Sequence, residues 1–318
     1  MSSFTSLEMC AGAGGQALGL EMAGFGHEVL IEIEPPACAT LRLNRPDWYV
    51  QQQDLRHFNG LPYFGVDLVA GGVPCPPFSK AGKQLGADDE RDLFPEALRL
   101  VDECRPKAVM LENVRGLLDN VFQSYREKVE EQLRKLGYVS EWRLLNASDY
   151  GVTQLRPRVV FVGIRKDLTE GFSWPEPRII TPPTVGELLH DLMKEDGWRG
   201  ADAWREKANT IAPTLVGGSK KHGGPDLGPT RAKKAWASIG VCGMGIANAP
   251  PTEDFAGMPK LTTRMAARIQ GFPDSWQFYG KKTAVYRQIG NAFPPPVACA
   301  VATQIFKALS AKRLVQVA

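Results

Sequence analysis

Cysteine and histidine are scarce in this 318-residue chain, which has six cysteines and four histidines. No two cysteines lie within a few residues of each other, so the ligand spacings of zinc sites are absent and we expect no bound metal. Scattered single cysteines are typical of proteins kept reduced in the cytoplasm, where most of them are small core residues. The cysteines are Cys10, Cys38, Cys75, Cys104, Cys242 and Cys299.

Long hydrophobic runs are missing as well. No apolar stretch reaches the roughly 18 residues that suggest a membrane span. The first ten residues, MSSFTSLEMC, lack the basic and apolar segments of a secretory signal. We therefore expect a cytoplasmic protein with no membrane contact. The net charge of +3 permits a nucleic acid as partner but does not argue for one.

Strand-like and helix-like segments alternate through the first half of the chain. Short apolar runs predict strands at 4–9, 27–34, 66–73, 107–114 and 158–165. Helical periodicity lies between them, at 16–25, 35–44, about 95–104 and 121–136. This alternation predicts an α/β fold, a doubly wound, mostly parallel, Rossmann-like sheet with helices on both faces.

The regular pattern ends near residue 166. From 166 to 260 glycine, proline and tryptophan are frequent and periodicity fades, which predicts a smaller, irregular second domain. Helical patterns return from residue 261, and a proline-started helix is expected at 294–312. We therefore predict a catalytic domain at 1–165 that is completed by a return segment at 261–318.

A glycine-rich turn, EMCAGAGG at 8–15, joins the first predicted strand to the first predicted helix. Glycines let the backbone approach a ligand, and a helix N-terminus offers free N–H groups. Glu32 and Asp54 follow strands, where an acid suits the hydroxyls of an adenosine ribose. The turn predicts a site for a dinucleotide or for S-adenosylmethionine, although a purely structural turn would have the same sequence.

Cys75 lies in the stretch GGVPCPPFSKAG, between Pro74 and Pro76. The prolines restrict the backbone and remove amide donors. The position follows a predicted strand, at the carboxyl edge where α/β sheets bind ligands. A thiol held in this way is oriented for attack, although a small core cysteine would fit the composition equally well.

Further polar residues are expected near the same edge. Glu112 and Asn113 end the strand that follows Cys75, and a carboxyl group in a closed site can stay protonated and act as an acid. The stretch QLRPR places Gln154, Arg156 and Arg158 just before another strand, where the two arginines would face the same way if extended.

Six motifs, in this order and spacing, resemble those of the C5-cytosine DNA methyltransferase family. They are EMCAGAGG, PCPPFS (74–79), ENV (112–114), QLRPR (154–158), ARIQGFPD (267–274) and QIGNAFPPPVA (288–298). The resemblance covers nearly the whole chain except about 166–260, where the family has its variable target recognition domain. Many members carry an aromatic residue at Cys10 and glutamine at Pro76, so this chain departs from the pattern there.

The resemblance implies a site-specific DNA methyltransferase with S-adenosylmethionine as cofactor. Cys75 would attack C6 of a cytosine flipped out of duplex DNA, and C5 would then accept the methyl group. Glu112 would protonate N3 of the base and Arg158 would contact its oxygen. The resemblance also implies that Asn113 and Arg156 belong to the catalytic residues.

The resemblance also implies binding residues. The expected cofactor contacts are Cys10, Ala11, Gly12, Gly14, Gly15, Glu32, Ile33, Asp54, Leu55, Pro74, Leu93, Asn291 and Ala292. The expected DNA contacts are Ser79, Gln154, Lys220, Lys221, Arg231, Lys233 and Lys234. Compact members belong to bacterial restriction–modification systems, so we expect a monomer on double-stranded DNA at the nucleoid, with a restriction endonuclease acting separately.

Two other functions fit parts of the sequence. An RNA cytosine methyltransferase, acting on tRNA, would have similar catalytic motifs, and the lysine- and glycine-rich stretch 217–234 suits phosphates of either nucleic acid. A nicotinamide-dependent oxidoreductase would use the same glycine turn. That second alternative gives no role to Cys75, Glu112 and Arg158 together.

Overall fold

A computed structural model of the chain describes residues 4–74, 92–179, 181–217 and 224–315. Its strands form a seven-stranded sheet in the order β3-β2-β1-β4-β5-β7-β6. The strands are β1 (Thr5–Met9), β2 (Gly26–Glu32), β3 (Val50–Gln52), β4 (Leu68–Gly71), β5 (Ala108–Val114), β6 (Tyr138–Asn146) and β7 (Pro157–Arg165).

The sheet is mostly parallel, which confirms the predicted fold class. Strands β1 to β5 run parallel to one another, and of the described strands only β7 runs antiparallel, to β5 on one side and to β6 on the other. Strand β4 is buried at every residue and β5 at all but its last, because helices cover both faces. This double burial explains why their sequences are continuous apolar runs.

Ten helices are described around the sheet and beyond it. They are α1 (Gly15–Met22), α2 (Pro35–Asn44), α3 (Phe94–Cys104), α4 (Gln123–Lys135), α5 (Val185–Lys194), α6 (Ala201–Lys207), α7 (Thr230–Ser238), α8 (Thr263–Ile269), α9 (Lys282–Asn291) and α10 (Pro295–Val315). Helix α5 begins at a capping box in which Thr184 and Glu187 satisfy each other's backbone amides.

The antiparallel direction of β7 has a consequence for function. In a parallel strand the first residues lie at the edge opposite the carboxyl ends of its neighbours. Because β7 is reversed, its beginning lies beside the end of β5, and Arg158 is paired with Val114 across the ladder. The stretch QLRPR therefore reaches the same sheet edge as Glu112.

The boundaries of the apolar cores differ from the boundary that composition predicts at residue 261. One core contains buried side chains from Val185 to Ile289, drawn from α5 through α9. Helix α10 packs instead on the sheet, where Val301 and Ile305 join Phe4 and Met110 in a second core. Residues 261–289 thus share a core with the predicted recognition domain, and packing on the sheet resumes near Phe293.

Candidate active site

The glycine-rich turn leaves β1 through backbone conformations that favour glycine. Gly12 and Gly14 have φ angles of 55° and 85°, and Cys10, which has a side chain, has a φ of 50°. Such a strained non-glycine residue is typical of functional sites. Gly15 begins α1, and a Cβ atom there would lie 2.2 Å from the carbonyl oxygen of Phe293. The turn therefore packs directly against the segment that follows α9.

Glu32, at the end of β2, holds this turn in place. Its carboxylate accepts hydrogen bonds from the backbone amides of Gly12 and Glu34, both at 2.7 Å. The side chain is buried, and burial raises the pKa of the carboxyl above its ordinary value although these two amides oppose the shift. Glu32 is thus fixed in orientation at the edge of a cleft.

The cleft has a volume of about 430 Å³, within the usual range of small-molecule sites. It lies at the carboxyl edge of the sheet, between the glycine-rich turn and the end of α9. Seven of the predicted cofactor residues line it: Cys10, Ala11, Gly12, Gly15, Glu32, Asn291 and Ala292.

The other predicted cofactor residues do not line the cleft. Gly14 packs against Leu41 and Trp276, Ile33 is half exposed, and Leu55 is buried in the core. Asp54 pairs with Arg56. Burial raises the pKa of the Cys10 thiol, and the charges of Glu32 and Asp54 add to this rise. Pro74 and Leu93 meet each other through a backbone hydrogen bond of 3.1 Å.

Glu8 and Gln16 are among the lining residues that the sequence pattern did not single out. Both are buried, and Glu8 Oε2 and Gln16 Oε1 have no hydrogen-bond partner among the described residues. Desolvation raises the pKa of Glu8 well above its ordinary value. A buried acceptor without a donor is costly, so these oxygens suit a ligand that brings N–H groups or positive charge. The signal in the sequence was an acid inside the apolar strand β1.

Glu112 and Arg158 form a close ion pair at the end of β5, with Glu112 Oε1 and Arg158 Nε 2.8 Å apart. The pair is diagonal across the ladder, since Glu112 lies opposite Val160. Burial raises the pKa of Glu112, while the charges of Arg158 and Arg156 oppose the shift. Glu112 lines the cleft, and it can hold a proton more readily than an exposed glutamate.

The chain that leads to Cys75 passes beside this pair. A Cβ atom on Gly72 would lie 3.2 Å from Glu112 Oε2, and the Asn113 amide donates to the carbonyl of Val73 at 2.9 Å. Asn113 therefore ties the end of β5 to the segment after β4. Cys75 and Ser79 themselves lie outside the described residues, as do Lys220 and Lys221.

Gln154 and Arg156 have no exposed surface. Gln154 bonds Gln270 and Leu215, so the polar atoms of its side chain are engaged inside the protein. The Arg156 guanidinium donates to the carbonyls of Leu215 and Gly290, whereas Arg158 faces Glu112. The two arginines thus lie near the same carboxyl but have different partners.

The remaining predicted DNA contacts lie on α7. Arg231 and Lys234, three positions apart, are exposed, while Lys233 forms an ion pair of 2.7 Å with Asp226.

The described side chains contain no group of three or more histidines, cysteines or acids that could hold a metal ion. Within the part of the chain that the structure describes, no helix combines the length and hydropathy needed to span a bilayer.

Comparison with known proteins supplies the family. The family model of C-5 cytosine-specific DNA methylases matches residues 4–307. The chain is 63% identical to the Type II methyltransferase M.NgoMIV of Neisseria gonorrhoeae, over 96% of this chain and 98% of the relative. It is 57% identical to the Type II methyltransferase M.NaeI of Lentzea aerocolonigenes, over 98% and 76% of the two chains.

Solved structures agree on the fold. A prophage-encoded protein of Escherichia coli, assigned as a DNA modification methyltransferase, superposes with a TM-score of 0.69 at 25% identity and covers 97% and 100% of the two chains. The DNMT2 protein of Spodoptera frugiperda has a TM-score of 0.66 at 17% identity, over 96% and 100%. The chain therefore belongs to the C-5 cytosine-specific DNA methylases and is a DNA (cytosine-5-)-methyltransferase that uses S-adenosylmethionine.

Proposed function

We propose that this enzyme is the modification methyltransferase of a Type II restriction–modification system. The names of two relatives, which match nearly the whole chain, support this setting. The enzyme would act as a monomer on double-stranded DNA in the cytoplasm, at the nucleoid. A restriction endonuclease of the same specificity would act separately. Residues 166–260 would form the target recognition domain, between the catalytic domain at 1–165 and its return segment at 261–318.

The residues of the cleft fit S-adenosylmethionine. The two unpartnered oxygens of Glu8 and Gln16 suit the ammonium group of its methionine part. Glu32, already oriented by Gly12, suits the ribose hydroxyls. The cofactor supplies an electrophilic methyl group, and Asn291 and Ala292 would close the cleft around it. Cys10, which lines the cleft, and Asp54, whose charge lies close to Cys10, would be nearest to the adenine.

Catalysis would begin with a target cytosine turned out of the duplex, because a stacked base cannot reach a buried site. Cytosine C5 is a weak nucleophile. A bond from the sulfur of Cys75 to C6 makes the ring electron-rich at C5, which can then take the methyl group. Loss of the C5 proton and release of the thiolate restore the aromatic ring. Ser79 would contact a phosphate near the displaced base.

Glu112 and Arg158 would act on the same base. The pKa of Glu112, raised by burial, favours a carboxyl that can protonate N3 as the ring accepts electrons. Arg158 would donate to the base oxygen and hold the base against Glu112. The single observation that carries this proposal is their buried pair beside the cleft, at the edge where β4 leads to Cys75.

A trapped complex tests the proposal. A duplex with 5-fluorocytosine at the target position cannot lose its C5 substituent, so enzyme and DNA should stay joined through denaturing electrophoresis. The adduct should require S-adenosylmethionine, map by peptide mass to Cys75 and disappear in Cys75→Ser. The half-buried Cys242, changed to serine, is the matched control and should still form it. An adduct on another cysteine, or equal turnover of tRNA and duplex DNA, would contradict the proposal.

A further inference from the structure

Three fully buried polar side chains form a network beside the cleft: Gln154, Arg156 and Gln270. Arg156 Nη1 donates to the carbonyl of Leu215 at 2.8 Å. Its Nη2 donates to the carbonyl of Gly290 at 2.6 Å and to that of Ala292 at 3.2 Å. Both terminal nitrogens of this guanidinium are thus engaged by backbone oxygens. None of these three oxygens belongs to the part of the chain near Arg156 in sequence.

The two glutamines bond the same segments. Gln154 Oε1 accepts from the amide of Leu215 at 2.9 Å, and its Nε2 donates to Gln270 Oε1 at 2.8 Å. Gln270 Nε2 in turn donates to the carbonyl of Ala292, which Arg156 also contacts. The network therefore joins the start of β7, the segment around Leu215, the end of α8 and the end of α9.

The segments that the network joins have different tasks. Asn291 and Ala292 line the cofactor cleft. The segment 212–217 lies inside the predicted recognition domain and leads toward Lys220 and Lys221. These two segments touch directly, because a Cβ atom on Gly217 would lie 2.4 Å from Asn291 Oδ1, and one on Gly290 would lie 2.4 Å from the Cα of Gly217.

We infer that Arg156 is a positioning residue, which holds the cofactor-lining residue Asn291 against the segment 212–217 of the recognition region. The inference rests on the proposed function, in which Arg158 and not Arg156 contacts the base. A planar guanidinium can bond Leu215 on one side and Gly290 on the other, which the single ammonium of lysine cannot do. Without these bonds, the carbonyls of Gly290 and Ala292, on either side of Asn291, would lose the side chain that ties them to Leu215.

The test compares Arg156→Lys with Arg158→Lys, which make the same chemical change two residues apart. Loss of hydrogen bonds from a buried charged donor should raise the dissociation constant of Arg156→Lys for S-adenosylhomocysteine about 10–100-fold in calorimetry. Its single-turnover rate at saturating S-adenosylmethionine should fall by a smaller factor than its affinity, and the pH profile of that rate should keep its wild-type shape. Arg158→Lys should do the reverse, losing rate while binding the cofactor product normally.

A second pair of variants tests the contact between Asn291 and the segment 212–217 by changing glycines of the recognition region. Gly217→Ala pushes a methyl group into Asn291 and should weaken cofactor binding without touching the arginine, even if Arg156→Lys does not fold. Gly224→Ala adds the same methyl group where it would meet no described atom within 4 Å, and this variant should bind normally. Unchanged cofactor binding in Gly217→Ala, or an Arg156→Lys enzyme that is slow but binds normally, overturns the inference. A fully active Arg158→Lys enzyme instead overturns the proposed role of Arg158 and leaves the cofactor measurements to decide on Arg156.

Discussion

The two ends of the cleft differ in their charge. At the glycine-rich turn, Glu8 and Glu32 are buried carboxyls that have no ion pair with another described residue. At the end of β5, Glu112 lies within the field of both Arg158 and Arg156. An acidic end suits the ammonium and sulfonium charges of S-adenosylmethionine. A basic end suits a cysteine thiolate and the phosphates of a displaced nucleotide. The two ends of the cleft thus suit groups of opposite charge.

The largest effect is expected for Glu112, at the end of the cleft near Arg158 and Arg156. Glu112→Gln keeps the size of the side chain but removes the proton that Glu112 would give to N3, so single-turnover methyl transfer should fall about 10²–10⁴-fold. Binding of S-adenosylhomocysteine should change little. Glu131 of α4, partly exposed and paired with Arg134, is the control when changed to glutamine and should keep full activity. A Glu112→Gln enzyme with the wild-type rate would mean that the carboxyl only orients the base.

A smaller and opposite effect is expected at the acidic end. Glu32→Gln replaces one acceptor oxygen by an amide NH2 group, a donor that faces the backbone N–H of Gly12 or Glu34. The dissociation constant for S-adenosylmethionine should rise about 10–100-fold while the rate at saturation is retained. Glu28, exposed on the same strand, gives the matched control when it is changed to glutamine. Equal losses of rate in Glu32→Gln and Glu112→Gln would show that Glu32 does not act on cofactor binding alone.

The sequence predicted the strands that build both ends, because buried parallel strands are recognisable as continuous apolar runs. Strand β6 was missed, since it is an edge strand with mostly polar or exposed residues. The direction of β7 was also not readable, because side chains alternate in the same way in parallel and antiparallel strands. Only the ladder shows why Arg158 meets Glu112.

The different partners of Arg156 and Arg158 mark another limit of sequence patterns. Two arginines at alternate positions of an extended stretch are expected to share a face, and both do lie near Glu112. The oxygens that bind Arg156 come from Leu215, Gly290 and Ala292, far away in sequence and on backbone groups that every residue carries. Hydrogen bonds of this kind leave no residue-type signal. The motif QLRPR therefore singled out these two arginines but did not indicate what each one contacts.

The exposed cations of α7 are expected to contact DNA phosphates. Arg231 and Lys234 are exposed on α7, whereas Lys233 is paired with Asp226. The double change Arg231→Ala and Lys234→Ala should weaken DNA binding for all sequences and flatten its dependence on salt by about two units of slope, one for each lost phosphate contact. Lys233→Ala alone should change the slope less.

The control for charge alone is the double alanine variant of Arg134 and Lys135, both exposed on α4. It removes the same two positive charges from the sheet region and should leave the slope near the wild-type value. If both double variants flatten the slope equally, the measurement reports net charge and α7 does not contact DNA. The remaining predicted contacts, Lys220 and Lys221, can then be tested by the same design.

The smallest effect should be on stability, through Glu8. Desolvation raises the pKa of this carboxyl in the folded protein. Below the ordinary glutamate pKa of about 4.3 both the folded and unfolded states hold the proton, and burial costs little. As the pH rises above that value the unfolded chain ionises first, so Glu8 lowers the free energy of unfolding progressively.

Glu8→Gln is neutral at every pH and should remove this penalty. In the absence of cofactor the melting temperature of the variant should exceed that of wild type at pH 7, by roughly 2 °C for each kcal/mol recovered in a chain of this size. The difference should vanish near pH 4. Because the same carboxyl suits the cofactor ammonium group, saturating S-adenosylmethionine should stabilise wild type more than the variant. A pH-independent difference in melting temperature would show that the substitution acts through packing and not through the charge of Glu8.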